Sequence, residues 1–193
     1  MNTSTTTEAK AIKNALEMIL NEHQELSKRL TFEPITSIIP ALNEAKNIFL
    51  IGAGRTGFMI NAAAMRLMHL GYSAYVVGET TTPAIGEGDV LIAASGSGTT
   101  SSIVKAGETA KKVGATLICF TTNATSPLAE TADYTVTIPA AGKQDHNTKV
   151  SSQYAGSLFE QGFLLLFDAL IHELWNIDGS SAEELWTRHA NME

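Results

Sequence analysis

Two stretches of this chain carry the residue types of an anion cradle. The stronger runs Ser95-Gly96-Ser97-Gly98-Thr99-Thr100-Ser101-Ser102. Glycine lets the backbone come close to a ligand, hydroxyls donate to its oxygens, and a helix opening at such a loop adds the partial positive charge of its N-terminus, typically ~0.3–1 kcal/mol per charge. Alternating serine and glycine followed by four hydroxyl residues points to a bound phosphate rather than to a solvated Ser/Thr turn. The second stretch, Gly52-Ala53-Gly54-Arg55-Thr56-Gly57, matches G-x-G-x-x-G. Taken alone it fits a dinucleotide site, with Glu79 as the ribose carboxylate, or a tight glycine turn between strand and helix. A dinucleotide fold does not need the serine loop, whereas a monophosphate ligand does. Arg55, next to the glycine turn, could contact a phosphate or an enediolate oxygen, or bridge to Glu79 or Glu160.

Acid–base chemistry has fewer candidates. Glu160 stands in SLFEQGFLLLFDALIHEL, a run apolar almost all round and expected to be a buried helix from about 151 to 174. Gln153, Ser157 and Glu160 would then share one face at i, i+4 and i+7. Burial disfavours an ionised carboxylate, and a carboxyl with a raised pKa is suited to removing a carbon-bound proton near neutrality. The competing reading is structural: a glutamate paired to Arg55 or to a helix end. Asp168, two turns on, reads as a surface or pairing residue. His23 and His69 read as packing or surface residues of amphipathic helices, and His172 fits its helix face. His146 reads as part of a charged loop with Lys143, Asp145 and Lys149. No histidine–carboxylate spacing suggests a metal, and no metal or cofactor is expected. Cys119, in an apolar strand-like run, reads as a small buried hydrophobe.

The elements that must position these groups follow from periodicity. Short apolar runs at 47–51, 74–77, 89–94, 116–120 and 134–138 alternate with helical stretches, which predicts βαβ units and a mainly parallel sheet covered on both faces. In such sheets ligands bind beyond the carboxyl ends of the strands, where both loops fall. A polar leader at 3–7 is expected to fray, a first helix to begin at Glu8, and a second, opened by Pro34, to carry Ile35, Ile38, Ile39 and Leu42 on its apolar side. A last helix is expected from Ala182 to the end. The 193 residues suit one domain over 1–193 with a helical extension over 1–45. With 44% apolar residues, 17% charged residues and a net charge of −7, a broad nucleic-acid or membrane surface is not expected. The absence of a leader with an apolar core, together with one cysteine, gives the cytoplasm as the expected compartment.

The two loops and the Glu160 helix together resemble a SIS (sugar isomerase) domain over roughly residues 35–175. The strings VGETTTPAI (77–85), SLFEQ (157–161) and RHANME (188–193) resemble the 6-phospho-3-hexuloisomerases. Thr56 stands where serine is more usual in the family, and keeps the hydroxyl. The resemblance implies a three-layer, doubly wound α/β fold of flavodoxin-like type, with five parallel strands in the order 2-1-3-4-5, N-terminal helices and a long C-terminal helix. It implies interconversion of D-arabino-3-hexulose 6-phosphate and D-fructose 6-phosphate through an enediol, as in the ribulose monophosphate route for formaldehyde. Phosphate contacts would come from Ser95, Ser97 and Thr100, with Gly98, Thr99 and neighbouring backbone N–H groups completing the cradle, and Gly54, Arg55 and Glu79 would also bind substrate. Glu160 would be the base. His189, in the RHAN segment, could move oxygen-bound protons or open a furanose ring, or could be a packing residue. A homo-oligomer, expected to be a tetramer, is implied because the family commonly builds sites at subunit junctions and the leading helices have apolar faces to bury. The competing classes are a pentose or heptose phosphate isomerase, a non-catalytic sugar-phosphate sensor, and a nicotinamide-dependent oxidoreductase using GAGRTG.

Overall fold

The five apolar runs form five strands. In the computed structural model, which describes residues 3–142 and 151–192, they are β1 (Ile48–Gly52), β2 (Ala74–Val76), β3 (Val90–Ala94), β4 (Thr116–Thr121) and β5 (Tyr134–Thr137). Every neighbouring pair is parallel, and the order is β2-β1-β3-β4-β5, as expected. Parallel pairing needs crossover connections, so helices must cover both faces.

Alternation along β1 shows how the two layers are filled. Ile48 and Leu50 join Ile60, Leu67, Phe163 and Phe167 in one core, beneath α4 (Arg55–His69) and α7 (Ser157–Asp178). Phe49 faces the other way, onto Leu91, Ile103, Leu117 and Leu128, beneath α5 (Ser101–Lys112) and α6 (Pro127–Thr131). All five residues of β3 are buried, as befits the central strand. Phe120 of β4 meets Phe163 edge to face with ring centroids 5.1 Å apart, fixing α7 over the sheet.

Several helix boundaries differ from the sequence expectation. The leader at 3–7 belongs to α1 (Thr3–Arg29), since extending an existing helix adds one hydrogen bond for each residue fixed. The single helix expected after Pro34 is two, α2 (Glu33–Thr36) and α3 (Ile39–Glu44). Pro40 has no N–H to donate to the carbonyl four residues back, so one continuous helix is blocked there. Ile35, Ile38 and Leu42 are nonetheless buried as expected.

The largest difference concerns the Glu160 helix, which begins at Ser157 rather than near Ser151. Ala155 and Gly156 both have positive φ, 41° and 82°, and end any helix approaching from residue 151. Gln153 is therefore not on the helix face with Glu160; its Nε2 donates to Glu22 of α1 at 3.0 Å. Gly179, at φ 74°, closes α7 with an N–H donated to the Trp175 carbonyl. The last helix, α8 (Ala182–Trp186), opens on a Ser181–Glu184 capping box and stops well before the C-terminus.

Candidate active site

The first glycine turn brings α4 tightly against β1. A Cβ on Gly52 would lie 2.8 Å from Ile60 Cγ1, and one on Gly57 would lie 3.2 Å from the Gly52 carbonyl oxygen. Close packing of strand against helix thus requires both glycines. It also puts the first turn of α4, with Arg55 and Thr56, at the carboxyl edge of the sheet.

Across that edge stands Glu160, in the first turn of α7 and only 2% exposed. Arg55 Nη1 donates to Glu160 Oε2 at 2.6 Å, and Thr56 Oγ1 donates to Oε1 at 3.4 Å. The positive end of the α7 dipole favours the same carboxylate. The Arg55 side chain is 47% exposed, so the pair spans from buried interior to open surface. Of the two sequence readings of Arg55 as a bridging residue, the partner is Glu160 and not Glu79.

The serine loop closes the other side. Gly54, Thr56, Ser95, Gly96, Ser97, Thr100 and Ile103 line a cavity of about 220 Å³ at the ends of β1 and β3. Ser95 Oγ lies 3.0 Å from Thr100 Oγ1 and accepts the Gly98 N–H at 3.2 Å. Ser97 Oγ accepts from the Thr99 hydroxyl at 3.0 Å. These hydroxyls are thereby oriented around a space with the positive end of α5 behind it. Gly98 has φ 65°, and a Cβ there would sit 1.9 Å from Ser126 Oγ, so the loop has room for no side chain at that point. Gly98 and Thr99 shape the loop without lining the cavity. Thr56 belongs to both halves: it lines the cavity and touches Glu160.

Two expected site residues lie elsewhere within one chain. Glu79 is exposed, in a turn after edge strand β2 where its N–H donates to the Val76 carbonyl. His189 stacks on His69 at 3.9 Å between ring centroids and on Trp186 at 4.7 Å. His69 ends α4, fourteen helical steps from Arg55, about 21 Å along the axis. His189 and His69 line a second cavity of about 810 Å³ with Arg66, Asp168 and Trp186. Burial first, then the charges of His189 and Arg66, hold the His69 pKa below the usual histidine value. The loop with Lys143, Asp145, His146 and Lys149 lies outside the described residues.

Some contributors were passed over in the sequence. Thr121, Thr122 and Ser126 sit at and just beyond the end of β4, and bond to or pack on the serine loop. Their signal was the hydroxyl-rich string TTNATS at the carboxyl end of a strand. Cys119 is buried in β4, and burial pushes its thiol up to about 12, in keeping with an inert hydrophobe.

Comparison with known proteins agrees with this geometry. Residues 41–158 match the SIS domain family model. A 3-hexulose-6-phosphate isomerase of Mycobacterium gastri is 49% identical over 94% of this chain and 92% of its own length. One from Bacillus subtilis strain 168 is 38% identical over 91% of this chain and 95% of its own length. The crystal structure of a Methanococcus jannaschii protein, for which a molecular function of 3-hexulose-6-phosphate isomerase has been inferred, matches with a TM-score of 0.80 at 32% identity. That match covers 93% of this chain and 99% of the other. With the serine loop, the strand order and these relatives in agreement, the chain belongs to the SIS domain family, among the relatives named 3-hexulose-6-phosphate isomerase.

Proposed function

We propose that this chain interconverts D-arabino-3-hexulose 6-phosphate and D-fructose 6-phosphate. The observation that carries this reading is the junction at Thr56, where an oriented hydroxyl cradle adjoins a buried carboxylate paired with an arginine. The phosphate is held by Gly54, Ser95, Ser97 and Thr100 together with the backbone at 96 and 97. Holding a remote phosphate offsets much of the entropy of placing the reacting carbons. Glu160 removes the C2 proton of the 3-keto sugar, and the electron pair forms a 2,3-enediol. The C3 oxygen takes up a proton as the C2 hydroxyl gives one up, and the same carboxyl returns the abstracted proton to C3, which leaves the carbonyl at C2. Arg55 stabilises the negative charge that develops on the enediolate oxygen. No proton or electron is gained or lost overall.

The protein works as a homo-oligomer, a tetramer by analogy with its family. Ile12, Leu16 and Leu20 on α1 and Phe58 and Met65 on α4 support this, as exposed apolar side chains that a second copy would cover. His189 serves the site of a neighbouring copy, where it shuttles protons between the sugar oxygens. The reaction runs in the cytoplasm within the ribulose monophosphate route for formaldehyde. The test of the central proposal is to supply D-fructose 6-phosphate and follow the 3-keto product by carbon NMR. Turnover of a pentose or heptose phosphate with no turnover of fructose 6-phosphate would reassign the substrate.

A further inference from the structure

The carbonyl of Gly96, near the start of the serine loop, is held by three donors. Thr122 reaches it with its backbone N–H at 3.0 Å and its hydroxyl at 2.8 Å, and the Thr121 hydroxyl adds a third bond at 3.1 Å. Thr121 is fully buried, and its hydroxyl also accepts the Asn123 N–H at 3.2 Å, so it is fixed from both sides. The threonines lie at and just beyond the end of β4, which neighbours β3 on the side away from β1. The peptide bonds of the described residues are all trans, and a trans peptide points its N–H opposite to its C=O. A Gly96 carbonyl fixed toward β4 therefore turns the Ser97 N–H toward β1. That is the side on which Gly54 and Thr56, which follow β1, line the cavity.

We infer that Thr121 and Thr122 are positioning residues for a phosphate monoester. They do not line the cavity, yet they aim a backbone donor into it and prevent the Gly96–Ser97 peptide from flipping its carbonyl oxygen toward an anion. This deepens the reading of that cavity as the phosphate site and rests on it. The test uses the full-length protein with Thr122→Val, Thr121→Val/Thr122→Val and Thr122→Ser, folding being checked by circular dichroism. The two valine variants keep the side-chain shape and remove the hydroxyls. A single neutral hydrogen bond is worth about a fivefold change in binding, so Thr122→Val raises KM for the sugar phosphate and Ki for inorganic phosphate in parallel by about that factor. The double variant raises both further, kcat stays within about twofold, and Thr122→Ser restores the parent values. Folded valine variants with unchanged KM and phosphate Ki overturn the inference, as does a fall in kcat at constant KM. A parallel Ser97→Ala variant separates the two failures. If it weakens phosphate while the threonine variants do not, the cavity keeps its ligand and the threonines lose their role. If inorganic phosphate does not compete in the parent protein, both readings fall.

Discussion

Glu160 is held by a strong partner, and that partner bears on what the residue can do. A buried carboxylate left bare would be costly; Arg55 and Thr56 both donate to it, and the α7 terminus adds its dipole. Pairing to Arg55 was the structural alternative at the sequence level, but here the pair also borders the hydroxyl-lined cavity. Glu160→Gln keeps the shape and can still accept from Arg55, yet cannot take up a proton. General base catalysis typically contributes about 10²–10⁴-fold, so kcat is expected to fall by at least about two orders of magnitude with little change in substrate binding. Exchange of the substrate's C2 hydrogen with deuterated water should vanish in parallel. Near-normal turnover in the folded variant would make Glu160 structural. Ser97→Ala probes the other half of the site. Hydrogen bonds to a charged group are worth ~1.5–3 kcal/mol, so KM should rise about tenfold or more, and an unchanged KM would remove Ser97 from the phosphate contacts.

At the scale of elements, the placement of Glu160 depends on α1 as much as on α7. Glu22 of α1 accepts hydrogen bonds from the Ser151 hydroxyl, the Ser152 N–H and the Gln153 side chain. His23 bonds Gln161 at 2.8 Å, next to Glu160. Leu26 packs so closely on Gly162 that a Cβ there would lie 2.7 Å from it. One turn of α1 thus grips the chain on both sides of the base, across the two positive-φ residues that start α7. Burial works to raise the Glu22 pKa, but the three hydrogen bonds and the charge of His23 outweigh it and hold the value below the ordinary glutamate range. With the folded value lowered, the folded state binds fewer protons than the unfolded one across that window. The stabilisation is full above the ordinary glutamate value and is lost as pH falls through the folded value. Thermal melts from about pH 6 down to about pH 3 should therefore show a steeper acid loss for the parent than for Glu22→Gln. Parallel curves for the two proteins would assign the acid sensitivity to other groups.

For the whole molecule, the decisive relation is between two distant cavities. His189 is packed at the far end of α4 by its stacking on His69 and Trp186, while the adjacent Arg188 donates to the His69 carbonyl at 3.0 Å. A histidine held about 21 Å along a helix from Arg55 cannot meet Glu160 of the same chain. It can serve the proposed chemistry only across a subunit boundary. Co-expressing Glu160→Gln with His189→Ala tests this. Each variant alone should be severely impaired, while random co-assembly should recover about a quarter of the parental sites, each with one intact residue from either chain. Full activity in His189→Ala alone, or no recovery in the mixture, would take His189 out of the chemistry. Analytical ultracentrifugation of the same samples reads the oligomeric state directly.

The sequence by itself determined the strands, their alternation with helices and the two loops, because all of these are written in short-range patterns. A run as short as VLIAA, bounded by turn residues, reads as a buried strand rather than a helix, and a serine–glycine string at the end of such a strand suits an anion. Glu160 was legible for the same reason, as a carboxylate opening an apolar run. Tertiary structure decided what those patterns leave open. The start of α7 turned on the backbone of Ala155 and Gly156, which no side-chain periodicity records. The choice of Glu160 over Glu79 as partner for Arg55 came from packing α7 against α4, a contact between residues 105 positions apart. The roles of Thr121, Thr122 and Glu22 depend likewise on neighbours in the sheet and across the helix pair. Hydroxyls and carboxylates acquire such roles only when the fold supplies a specific donor or acceptor within about 3 Å.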